Sequence, residues 1–174
     1  MNKITLPGIA VICIIIFTGC SSVSKEEYFN TAVLNTNLLS GFAGNGMYRQ
    51  LDSPSEKLGE NNETVPVSRS EIINSRIEIL NDNFEKLKGL KVTDDTKEMI
   101  QASVALYEFV LPVFKKEYMQ LAELFDNGAS EERTRNESQI IHDKYFSKYE
   151  ELYNKLISIG KVYAEKNSIK VHWN

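Results

Sequence analysis

The chain has 174 residues, with 20 lysines and arginines against 24 aspartates and glutamates, a formal net charge of -4 at pH 7. An acidic chain without a basic stripe is not built to neutralise phosphates, which excludes a nucleic acid as its partner. A hydrophobic content of 42% with 25% charged residues excludes a disordered chain and fits one globular domain.

Residues 1–19 read as a signal peptide. Met1-Asn2-Lys3 carries one positive charge, and Ile9 to Phe17 suits an apolar core of about 7 to 15 residues. A membrane-spanning helix needs roughly 20 apolar residues, and Ser21-Ser22-Val23-Ser24-Lys25-Glu26 ends any continuation. Phe17-Thr18-Gly19-Cys20, with small residues ahead of a cysteine, resembles a bacterial lipoprotein signal, although Phe17 stands where leucine is commonest.

The resemblance implies cleavage before Cys20, a diacylglyceryl group on its sulfur and further acylation such as palmitate. The membrane would then be the first partner of the chain. Ser21 resembles the residue that forwards lipoproteins to an outer membrane, and Lys25-Glu26-Glu27 resembles a surface-export tag. Residues 20–24 make a tether of at most about 17 Å. Cys13 would be discarded and Cys20 consumed, which leaves no thiol for a disulfide, a zinc–thiolate site or a nucleophile. About 155 residues remain, enough to bury roughly two-thirds of the unfolded surface in one domain.

That domain, residues 25–174, is expected to be all-α. Ser24-Lys25-Glu26-Glu27 has the form of a capping box, and a first helix is expected from Tyr28 to about Phe42, ending among Gly41, Gly44 and Gly46. Residues 52–67, polar and containing Pro54 and Pro66, read as one long loop, a length at which loops are functional or disordered. A second capping box, Ser68-Arg69-Ser70-Glu71, opens a helix with Ile73, Ile77, Leu80, Phe84 and Leu87 on one stripe, stopped by Gly89.

The third helix follows Thr93-Asp94-Asp95. Ile100, Val104, Tyr107, Leu111, Phe114, Tyr118, Leu121 and Phe125 alternate at four and three residues, so one helix of about 30 residues and roughly 45 Å is expected. Pro112 should kink it without ending it. The fourth helix starts after Ser130 and carries Ile141, Tyr145, Tyr149, Leu152, Leu156, Ile159 and Tyr163, with Gly160 inside and a short tail to Trp173. Together these predict an antiparallel up-and-down four-helix bundle.

Catalytic apparatus is not visible. Glu-x-x-His pairs are missing around the two histidines, so neither a di-iron nor a zinc centre is expected, and His142 reads as a boundary residue. Gly41-Phe42-Ala43-Gly44-Asn45-Gly46 has no central serine and no Gly-Lys-Ser/Thr, so it is neither a nucleophile elbow nor a phosphate loop. Lys115, Lys116 and Glu117 read as a solvated face. Tyr107, Phe114, Tyr118, Tyr145 and Tyr149 fall on facing stripes, and a bundle wedged open at Pro112 would gather them round an amphipathic ligand pocket.

Residues 107–118, with Pro112 leading to Lys116-Glu117-Tyr118, and Val162-Tyr163-Ala164-Glu165-Lys166-Asn167 resemble segments of small surface lipoproteins of unknown function from diderm bacteria. The resemblance, over about residues 70–170, implies a four-helix domain without assigned catalytic residues. The expected function is thus a lipid-anchored, non-enzymatic envelope module needing no cofactor and binding a protein, a glycan or a small ligand. The alternative is a ligand-sensing bundle with its pocket near Pro112.

Overall fold

Helices α1 (Lys25–Ala32), α2 (Asn45–Asp52), α3 (Arg69–Lys88), α4 (Lys97–Val113), α5 (Met119–Asp126) and α6 (Glu131–Lys166) make up most of the computed structural model. It describes residues 23–54, 56–61 and 63–173. The expected signal peptide and Cys20 lie outside the described residues. Among the described residues no helix is long and apolar enough to cross a membrane.

The three expected helix starts are where the serines put them. Ser24, Ser68 and Ser130 sit in extended backbone and accept the amides of Glu27, Glu71 and Arg133 at 3.0, 3.1 and 3.3 Å. Each satisfies a donor that the first turn leaves without an intrahelical acceptor. The N-terminus of α3 has a second, long-range cap. Asp126, the last residue of α5, accepts the Arg69 and Ser70 amides at 2.7 and 2.9 Å and the Ser70 hydroxyl at 2.7 Å.

The single helix expected over 28–42 is instead broken. After α1 the chain tightens into a 3-10 segment, Leu34–Leu39, where the Thr36 amide and hydroxyl both donate to the Val33 carbonyl. It then reverses through Gly41 and Ala43, both at positive φ (82° and 52°), and resumes as α2. Gly41 and Gly46 pack so closely that a Cβ on Gly46 would lie 2.9 Å from the Gly41 Cα. Only glycine allows that approach.

Residues 52–67 are not a plain loop. Strands β1 (Glu56–Leu58) and β2 (Thr64–Pro66) pair antiparallel, Lys57 opposite Val65. The hairpin is tied to α3 by Lys57 and Glu71 at 2.5 Å. Three-residue strands carry too short an alternation to show in the sequence.

The third expected helix does run through Pro112, as α4, a π-helical turn over Phe114–Tyr118, and α5. The irregularity is that wide turn just past the proline. Pro112 is exposed, so its missing hydrogen bond falls on the solvent side of the helix, away from the core. The turn carries Glu117 inward, to 9% exposure, while Lys115 and Lys116 stay exposed. The solvated face expected for all three residues therefore holds for the lysines alone. The core lies where α3 packs on α4 and α5, α4 on α6, and α1 on α3, α4 and α6. Gly160 of α6 admits α1 there, since its absent Cβ would lie 3.0 Å from a Val33 methyl.

Candidate functional site

The five residues expected to line a pocket are only partly brought together. Phe114, Tyr118 and Tyr149 surround Phe42, with ring centroids 5.6, 5.9 and 4.9 Å from it. Tyr145 reaches the group through Phe109, at 6.1 Å. Tyr107 stands apart, stacked on Phe84 at 5.7 Å. The space between the tyrosines is occupied by Phe42 itself, buried to 1% exposure, a placement that contributes about 1.5–3 kcal/mol through burial.

Phe42 is held there by its neighbours' backbone. Four main-chain groups of residues 38–43 are bonded by side chains from distant elements. Arg76 of α3 donates to the Leu38 carbonyl at 2.9 Å, and the Tyr149 hydroxyl to the Leu39 carbonyl at 3.0 Å. The Ala43 amide donates to Tyr118 Oη at 2.7 Å, and His142 Nδ1 donates to the Ala43 carbonyl at 2.7 Å. A carbonyl only accepts, so Nδ1 must bear the proton. The buried part of this segment, Leu39, Phe42 and Ala43, survives because its polar groups are paired.

Burial governs the acid–base behaviour of these side chains. It pushes Tyr118 up to about 12, against smaller opposing effects of the Ala43 amide and the Arg76 charge. Burial alone raises Tyr107 to about 12, and burial with the nearby Tyr153 raises Tyr149 further. Arg76 is lowered by burial. These shifts keep hydroxyls protonated as hydrogen-bonding groups. Glu117 accepts the Tyr145 hydroxyl at 2.5 Å and lies 3.4 Å from Lys144 Nζ, while its Oε2 is buried without a partner. The described residues hold no cluster of three or more His, Cys, Asp or Glu suited to a metal ion.

Open concavities lie elsewhere, on the surface. Two adjoin along α4 and α6, of about 550 and 500 Å³, sharing Glu98, Ser158 and Ile159. Their apolar lining includes Ala102, Ala105, Leu152 and the exposed Val162, with Asp94, Asp95 and Glu98 on the α4 side and Lys155 and Lys166 on the α6 side. A third, of about 300 Å³, is formed by the 3-10 segment, α6 and the C-terminal tail around Trp173.

Sequence reasoning did not identify Phe42, because no local signal tells a ring that plugs a core from one that ends a helix. The C-terminal tail packs on the core through Trp173, which meets Phe29 edge-on at 5.9 Å. Comparison with protein-family models, curated proteins and solved structures gives no match for the chain.

Proposed function

We propose that this protein is a lipid-anchored binding module of the bacterial envelope, held at the outer membrane on its periplasmic or exposed face by acylated Cys20, and that it is not an enzyme. The observation that carries this reading is Phe17-Thr18-Gly19-Cys20 after one short apolar run, followed within a few residues by the capped start of α1 at Ser24. A tether that short keeps the folded domain against the membrane surface, and each buried acyl CH₂ adds about 0.8 kcal/mol to the anchor.

In finer detail, we read the fold as an antiparallel up-and-down bundle. In it α3, α4 continued by α5, and α6 are the long members, and α1, the 3-10 segment and α2 share the fourth position. The large side chains at its centre support a structural interior, since the Tyr118 and Tyr149 hydroxyls are spent on the backbone of residues 38–43. Phe42 occupies the space a pocket near Pro112 would need, so binding is better placed on the surface, at the α4–α6 groove or the tail concavity.

Fractionation and protease shaving of intact cells test the reading. The wild-type chain should pellet with the membrane, and a Cys20→Ala variant should appear in the soluble fraction. Equal membrane retention of that variant would overturn the anchor.

A further inference from the structure

The concavity around Trp173 has the chemistry of a sugar site. Trp173 is the single tryptophan of the chain and remains 37% exposed although its ring packs on Phe29. Tyr153 provides a second aromatic wall, and its other contact is a stack on Tyr149 at 5.6 Å. Asn37, Asn154, Lys161 and His172 also line the concavity. Among the described residues none of these four side chains makes a hydrogen bond, and Asn154 is engaged only through its carbonyl, from Ser158.

The concavity, of about 300 Å³, lies at the lower end of the size range of small-ligand sites and is more polar than most of them, with aromatic surface beside a few unspent donors and acceptors. A sugar ring offers the complement, with apolar C–H faces for the rings and hydroxyls for two amides. Charge narrows the class. No acidic side chain lines this concavity, while Lys161 does, its Nζ 5.5 Å from the Trp173 ring centroid. In a chain of net charge -4 that is a local excess of positive charge, which favours a carboxylate.

We propose that this concavity binds a saccharide carrying a carboxylate, a uronic-acid unit of a glycan. Its carboxylate pairs with Lys161, its hydroxyls bond Asn37 and Asn154, and one ring face lies against Trp173. The inference deepens the binding-module reading and rests on it for the setting in which such a glycan is met.

The test is fluorescence titration of Trp173 in the full chain, purified in detergent, with a galacturonic-acid trisaccharide and the neutral galactose trisaccharide. A saturable change with the acidic sugar is expected, and Lys161→Gln and Asn154→Ala should each weaken it about tenfold or more, a loss of about 1.4 kcal/mol. Both positions are exposed on α6, so the variants should fold, which circular dichroism checks. No saturable change up to about 10 mM, an equal response to the neutral sugar, or full retention in Lys161→Gln would overturn the proposal. Acylation of Cys20 is read separately, by mass, so failure here leaves the anchor standing.

Discussion

Two buried tyrosines show how much depends on where a hydroxyl ends. Tyr118 and Tyr107 are both essentially fully buried, yet Tyr118 Oη accepts the Ala43 amide whereas Tyr107 Oη has no partner. Removing the first leaves a buried amide unsatisfied, and removing the second leaves nothing behind. Tyr118→Phe should therefore cost about 1–3 kcal/mol, while Tyr107→Phe should be neutral or stabilising. Urea unfolding of both variants checks this, and equal losses would contradict it. The same burial makes the protein sensitive to alkali. A group whose folded pKa is raised lends stability below its unfolded value, so that of Tyr118 is complete below pH of about 10 and lost as the pH climbs through about 12. Thermal melts should fall across that window, and less steeply in Tyr118→Phe.

Among the elements, the starts of helices were legible and their interruptions were not. Ser24, Ser68 and Ser130 act through amides three residues away, so the signal and its effect share one short window of sequence. The break after α1 depends on side chains from distant parts of the chain, Arg76, Tyr118, His142 and Tyr149, and nothing near Phe42 announces them. The π turn hides for a different reason. Tyr107, Leu111, Phe114 and Tyr118 keep three-and-four spacing in the sequence and are all buried, so their periodicity does not report the wide turn that also brings Glu117 inward.

Two contacts between elements give measurable consequences. In an exposed helix interior, alanine in place of glycine is better by about 1 kcal/mol. At Gly160 the added methyl would meet a buried Val33 methyl at 3.0 Å, and close-packed interiors do not yield cheaply. Gly160→Ala should therefore lower the melting temperature, and Gly160→Ala with Val33→Ala should lose less than the two changes made singly and summed. Strict additivity would contradict the contact. Asp126 is the second case. Its slight burial disfavours the charge, but the Ser70 hydroxyl and the Ser70 and Arg69 amides outweigh that and hold its carboxyl below the ordinary value. A depressed pKa lends stability above the unfolded value, near 4, which is lost as acid brings the pH down through the folded one. Asp126→Ala should cost about 1 kcal/mol at neutral pH and progressively less below pH of about 4. A penalty that does not change with pH would rule out the cap.

The three long helices, their buried stripes and the position of the polar connection at 52–67 followed from periodicity and composition, because burial of one helix face is written at fixed spacing. Of the five residues expected round a pocket, Phe114, Tyr118 and Tyr149 lie against Phe42, since the stripes named residues that face inward but not the ring that stands between them. In the proposed reading binding falls to the surface, and an acylated Cys20 would place that surface at the membrane. Mass spectrometry of the native protein extracted from its membrane tests this most directly. The expected result is an N-terminus at Cys20 bearing a diacylglyceryl thioether. A mature protein that begins elsewhere, or an unmodified Cys20 thiol, would contradict it.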